Sequence, residues 1–430
     1  MLLGTLSTTQ LEKRNGEEGM KSRQMIKDYM LQAERAEPVW VCQDCLGDDM
    51  LKRLQGGLMV ERVCNLCGSS TKRALTPERI ARFIGKHLPK HFCIDPGLYP
   101  GYELTLEKVV RLSIGCESEI VSRAIAGHLE DPQATDEDFY CPGQEYSRVP
   151  SPFESEEHEH WYVMGEWHGI ALELVHGRRF FNERARRFFE SLIHEALGAQ
   201  DAERQGIAAV ATVVAAGTSF YRARIATGPD QVRAFAANAA VELGAPPKER
   251  AANNRMSASG IPLLYVSADP ATCIAEIRPS IGDTLALGRF ESLAPLKFFD
   301  FTALSRRLRH APISLFDPSY EERSLHRKLL EYLHEEIARP VRSNDNDYVM
   351  TQALAEFIRY NDAAKFDGIS FRSVQRDGGI NYVLFDKGDA ASMVAPDWRP
   401  TFDLGIAAQD VTSHQITGVT YNHHPTPDRK

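Results

Sequence analysis

Four cysteines in two close pairs constrain this chain more than any other feature. Cys42-Gln43-Asp44-Cys45 is followed, after eighteen residues, by Cys64-Asn65-Leu66-Cys67-Gly68. This C-x2-C-x18-C-x2-C spacing fits a zinc ribbon. Two residues between cysteines let a tight turn aim both thiolates at one tetrahedral ion, and Gly68 eases the backbone just beyond the second pair. Four thiolate ligands leave no open coordination position, so the expected zinc is structural. Redox thiols, or four unligated buried cysteines, are the competing reading. Between the pairs, residues 48–54 predict a short helix.

The remaining composition narrows the class. At 430 residues the chain is long enough for two or three domains. Eight cysteines in such a length are too few for a disulfide scaffold, which makes a reducing, cytosolic compartment the expectation. A net charge of −9 argues against broad contact with a phosphate backbone. No run approaches the ~20 apolar residues of a membrane span. Residues 1–10 lack the charge and apolar core of a signal peptide, so 1–19 are expected to be a disordered leader.

In chain order, residues 20–36 predict a helix ended by Pro38, and Thr76-Pro77-Glu78-Arg79 a helix start. Residues 103–130 predict a helical pair. Residues 130–160, acidic and rich in turn formers, read as a loop or linker, with His158 and His160 as solvated histidines or a metal pair. Residues 179–197 predict an amphipathic helix. Arg82 with His87, and Arg187 with His194, are loose Arg–His patterns of the kind seen in HEPN ribonucleases, although solvated helix faces account for them better.

The chemistry concentrates further on, in residues 217–279. Arg222 closes the apolar-aromatic run Phe220-Tyr221. Arg255 lies in the loop Asn253-Asn254-Arg255-Met256-Ser257. Tyr265 lies in the strand-like Leu264-Tyr265-Val266, and Glu276 stands alone in the apolar turn Cys273-Ile274-Ala275-Glu276-Ile277. Charges embedded in apolar runs are costly unless paired or used. They are either a structural Arg–Glu pair in a mixed α/β core or a working set. Later come a turn into a strand at 366–373, ending on Ser373, and a second strand, Asn381-Tyr382-Val383-Leu384-Phe385. Gln352 and Glu356 share a helix face, where support of the core is the expected role.

In order and spacing, residues 217–388 resemble the RES domain, typical of bacterial toxins paired with Xre-type antitoxins. The resemblance is carried by Phe220-Tyr221-Arg222, Asn254-Arg255-Met256, Tyr265, Glu276, Ser373 and the 381–385 strand. Asn254 stands where many members have Gly, a mild departure because Asn tolerates a left-handed backbone. Residues 38–197 resemble the HEPN-like module that precedes some RES domains.

The resemblance implies an α+β multidomain chain. A leader (1–19) precedes a mainly helical module with a zinc ribbon-like knuckle pair (20–200). An α/β domain similar to ADP-ribosyltransferases (207–388) and a C-terminal tail (389–430) follow. It also implies an NAD+-consuming enzyme that cleaves the nicotinamide–ribose bond as glycohydrolase, phosphorylase or ADP-ribosyltransferase. Arg222, Glu276 and Ser373 are then catalytic. Arg255, Tyr265, Tyr221 and Asn381 hold the dinucleotide, and Cys42, Cys45, Cys64 and Cys67 hold structural zinc. Implied partners are an Xre-type antitoxin or another inhibitor protein, or a second copy of the chain. The alternatives are a HEPN-type ribonuclease and a zinc-ribbon adaptor that binds nucleic acid or protein.

Overall fold

The computed structural model describes residues 39–54, 60–94, 104–149, 155–202, 208–339, 348–361, 364–388, 395 and 398–420. The predicted leader and the 20–36 helix lie outside these residues. The chain divides into two units, Met1–Ser151 with Ser314–Pro318, and Pro152–Ile313 with Ser319–Lys430.

In the first unit, local sequence signals set the helices. Thr76 caps α1 (Pro77–Ile84) by accepting from the Arg79 amide. Thr105 caps α2 (Leu106–Ile114) and Ser118 caps α3 (Glu119–Leu129) in the same way. Their apolar faces meet in a core of Ile80, Ile84, Val109, Val110 and Ile125. Gly115 ends α2 at φ +62°, and a Cβ there would meet the Gly47 backbone at 2.8 Å, so the close approach of these two loops needs glycine on both sides. The unit is less helical than expected, because strands of two to four residues are interleaved with the helices. One of them, Glu145–Arg148, falls in the predicted 130–160 loop and pairs with Phe92–Ile94 and Leu104–Thr105. Tyr146, fully buried, anchors it.

The second unit is organised by one large sheet. Among the described residues it has nine strands: β1 (Ala211–Val214), β2 (Ser219–Ala226), β3 (Leu264–Ser267), β4 (Thr284–Ser292), β5 (Leu296–Asp300), β6 (Gly368–Arg372), β7 (Ile380–Leu384), β8 (Leu404–Gly405) and β9 (Val411–Gln415). The order is β8-β4-β2-β3-β7-β6-β5-β1, with β9 also pairing β4. The β5–β6 pair is parallel and the others are antiparallel. Alternation along the strands divides the apolar side chains between two cores. Phe298 and Leu384 join Phe220, Val232 and Leu264 on one face; Phe299 and Val383, their neighbours in sequence, join the other.

That second face is covered by α4 (Glu156–His176), α5 (Glu183–Gly198), α8 (Tyr320–Ala338) and α9 (Val349–Arg359), which bury Trp167, Phe188, Phe189, Leu192 and Leu329. The sequence reading grouped α4 and α5 with the N-terminal module. They lie in the second unit because their apolar stripes match its sheet and not the first unit's core. His158 and His160 therefore sit on the first turns of a helix, not in the predicted loop, and His160 packs edge-on to Tyr332. The predicted tail supplies β8 and β9. Further helices include α6 (Pro229–Ala237) and α7 (Pro270–Glu276). No helix among the described residues is long and apolar enough to cross a membrane.

Candidate active site

The large sheet opens between β2 and β3. These strands pair at one position, Tyr221 opposite Ser267, whereas β2 pairs with β4 over eight. A cleft of about 350 Å³ lies at this opening, walled by both strands, the end of α7, the 253–255 loop and the segment after β6. It lies in the size range of small-molecule sites.

Glu276, on the last turn of α7, is exposed to the cleft. Asp269 caps the other end of this helix by accepting from the Thr272 amide at 2.9 Å, with Pro270 at the first helical position. Two side chains converge on one carboxylate oxygen: Ser373 Oγ and Asn381 Nδ2 each donate to Glu276 Oε1 at 2.6 Å. Both donors are themselves held. Ser373 Oγ accepts from the Gln375 and Arg376 amides at 3.1 and 3.2 Å, which directs its single proton at Glu276. Asn381 Oδ1 accepts from the buried Ser267 Oγ at 2.7 Å, which turns the amide nitrogen toward the carboxylate. Arg376 ties this loop to the start of α7, bonding Asp269 at 2.8 Å and Thr272 at 3.0 Å. Gly379 allows that approach, since a Cβ there would meet Thr272 Oγ1 at 2.6 Å. Oε2 of Glu276 has no hydrogen-bond partner among the described residues and is left to the cleft.

The arginines do not pair with this carboxylate. Arg222 is half-buried and donates to the Tyr265 carbonyl at 3.2 Å; among the described residues no carboxylate lies within 4.0 Å of it. Burial, and then the nearby Arg224, push its pKa down to about 10. Arg255 donates to the Ile337 and Arg339 carbonyls at the C-terminal end of α8, both at 2.7 Å, and lies 5.7 Å over the Tyr348 ring. Burial pushes it down too, against the opposing influence of Tyr348 and Glu276. The structural Arg–Glu pair considered on the sequence is thus not formed by these residues. Part of Arg255's donor set is already committed to a helix end.

Tyr221 lines the cleft. Tyr265 does so too, but its hydroxyl is engaged with the Met256 amide and Ser257 Oγ, both at 3.2 Å, and burial raises its pKa to about 12. Its role in this geometry is to hold the 254–257 turn. Gln352 of α9 shares that work: its Nε2 donates to Asn253 Oδ1 and the Asn254 carbonyl at 2.7 Å and to the Ser257 carbonyl at 3.1 Å. Arg278, not singled out on the sequence, also lines the cleft. It has a left-handed backbone at φ +46° and no carboxylate partner among the described residues. Its one sequence signal was its position two residues after the helix's single acid.

The predicted metal ligands come together in the first unit. The Sγ atoms of Cys42, Cys45, Cys64 and Cys67 all lie within 4.8 Å of one another. Cys42–Cys67 and Cys64–Cys45 are 3.6 and 3.9 Å apart. Zinc about 2.3 Å from each sulfur of a tetrahedron needs edges of about 3.8 Å, so the donor set fits that ion. Amides of Cys42 and Leu66 point at Cys64 Sγ at 3.3 and 3.4 Å, the usual support of a thiolate. The Arg–His candidates do not converge in this way. Arg82 pairs with Glu78 at 2.6 Å, while His87 stacks between Phe83 and Phe316. Arg187 pairs with Glu183, and His194 is exposed.

A mixed α/β domain with a carboxylate and unpaired arginines around one cleft is the class that fold and site define. Residues 219–404 match the family model of the RES domain, so that domain is found in the second unit. The match supports an NAD+-related role in general terms. No curated protein matches the chain.

Proposed function

We propose that the cleft consumes NAD+ by breaking its nicotinamide–ribose bond. The observation that carries this reading is the state of Glu276: one carboxylate oxygen is fixed by Ser373 and Asn381, and the other is open to a cleft that holds arginines without carboxylate partners. As the C1′–N1 bond breaks, its electron pair leaves with nicotinamide, and positive charge develops on the ribose. A fixed carboxylate stabilises such an oxocarbenium-like centre, as in glycosidases. An acceptor (water, phosphate or a protein side chain) then bonds to C1′ and gives up its proton. The pyrophosphate of NAD+ needs a cation with free donors. Arg222 and Arg278 fit best, and Arg255 supports from its helix-end seat. Tyr221 is the better candidate for stacking on nicotinamide, because Tyr265 is engaged with the turn. The opening between β2 and β3 is consistent with an ADP-ribosyltransferase-like cleft. Zinc in the first unit has a structural part in this reading, and an antitoxin-like inhibitor or a second copy would be the partner.

The test is nicotinamide release from NAD+ by the purified chain, with and without phosphate, beside Glu276→Gln. Release that the variant lacks supports the proposal, and phosphate dependence assigns the acceptor. Equal release by both proteins would sink the role given to Glu276.

A further inference from the structure

The two donors that fix Glu276 are not held alike. Asn381 lies within β7, and its partner Ser267 stands opposite it on β3; both are buried. The sheet fixes this pair. Ser373 lies just beyond β6, at the base of the turn 373–379 that leads into β7. Its amide donates to the Gly379 carbonyl at 2.8 Å, and the Gly379 amide to the Arg376 carbonyl at 3.1 Å. These bonds close the turn on itself but do not seat it on α7.

Seating falls to Arg376. Among the described residues it is the one side chain of 374–379 that hydrogen-bonds to α7 or its cap. Both of its acceptors are fixed independently. Asp269 caps the helix and also accepts from Thr272 Oγ1 at 2.6 Å, and Thr272 is fully buried. The turn therefore meets α7 at two places, through Arg376 at the helix start and through Ser373 at Glu276, about 10 Å along the axis at 1.5 Å per residue. Two such contacts stop it from lifting or sliding. Arg376 is tied to Ser373 as well, because its own amide is one of the two that direct the Ser373 proton.

We propose that Arg376 is a positioning residue that acts on Glu276 through Ser373. Its ion pair with Asp269 keeps the turn seated on α7, and the seated turn keeps the Ser373 proton on Glu276 Oε1. What this does to catalysis rests on the NAD+ reading of the cleft; the seating of the turn does not.

Arg376→Gln in the full chain tests both parts. The ion pair is exposed, 44% on Arg376 and 36% on Asp269, so its loss should leave the melting temperature unchanged. Amide hydrogen exchange at Gln375 and Gly379 should quicken about fivefold, the most that an exposed pair is usually worth. In the nicotinamide-release assay kcat should fall about fivefold with KM unchanged, because a group that orients the carboxylate is lost and no ligand contact is. Asp269→Asn, which keeps a side-chain oxygen for the cap, should reproduce the defect, and Arg376→Lys should restore most of the rate. The deciding comparison is a double-mutant cycle: in a Ser373→Ala background, Arg376→Gln should cost almost nothing more. A cost in that background as large as in the unsubstituted chain, or exchange rates untouched by Arg376→Gln, would overturn the proposal. Absence of nicotinamide release from the unsubstituted chain overturns the NAD+ reading instead, and the exchange rates then decide the seating by themselves.

Discussion

Glu276 and Arg222 show how much of this site turns on single side chains. Glu276→Gln keeps the shape and the two hydrogen-bond donors' partner but removes the charge. Nicotinamide release should fall about 10²–10³-fold, the usual worth of one preorganised electrostatic group, with an unchanged melting temperature. Arg222 carries a penalty that runs the other way. Its folded pKa is about 10, well below the ordinary arginine value, so folding disfavours its charged form. The unfolded chain binds the extra proton between these values. The penalty is therefore fully present below pH 10 and is relieved as pH rises through that window. Replacing the charge should remove the penalty at neutral pH. Arg222→Met is expected to raise stability by about 1 kcal/mol or more while abolishing activity, as read by thermal melts at pH 7.5 beside the release assay. A destabilised variant would show that Arg222 holds the fold, not a ligand.

At the scale of elements, α9 and the 253–257 turn act as a unit. Gln352 reaches three acceptors on the turn, and Thr351 Oγ1 donates to the Arg255 carbonyl at 2.6 Å. The helix thereby sets where Arg255 and the neighbouring asparagines stand. Gln352→Ala removes these ties without opening the core. It should raise KM for NAD+ by about tenfold and change kcat less, because it loosens ligand positioning and leaves Glu276 held. An equal fall in kcat with KM unchanged would contradict that division of labour. The sequence placed Gln352 and Glu356 on one helix face and read them as support. That reading needed only helical periodicity; the three carbonyl and amide partners lie ~95–99 residues away in sequence and had no local signature.

At the scale of the whole molecule, each unit has its own point of failure. In the second, Glu195 is 2% exposed and receives Arg323 at 2.5 Å and Arg327 at 2.6 Å. Burial pushes its pKa up, but the two arginines outweigh that and hold it below the ordinary range. A depressed carboxylate stabilises the fold above its unfolded pKa of about 4.3 and loses that contribution as pH falls. Glu195→Ala, which strands two cations, should cost about 3–5 kcal/mol at pH 7, and Glu195→Gln should flatten the acid limb of stability below about pH 4.3 in denaturant titrations. In the first unit the four cysteines predict one bound zinc per chain. A strong chelator should release it and make the first unit sensitive to proteolysis, because binding energy at such a site is folding energy. A chain that contains no zinc by metal analysis, yet resists proteolysis, would refute this.

The sequence by itself determined the cysteine knuckles, the cap of α1, the RES-like order of Arg222, Glu276, Ser373 and Asn381, and the strands that carry Arg222 and Asn381. These are local signals: a spacing, a cap, an alternation of period two. Tertiary structure alone decided the rest. Which core claims an amphipathic helix depends on the shape of the surface it meets, and so α4 and α5 joined the large sheet. Whether two embedded charges pair depends on where a strand and a helix end ~50 residues apart bring them, and so Arg222 on β2 and Glu276 at the end of α7 stayed unpaired. The donors that fix Glu276 come from a loop and strand ~100 residues downstream, a convergence that no window along the chain contains.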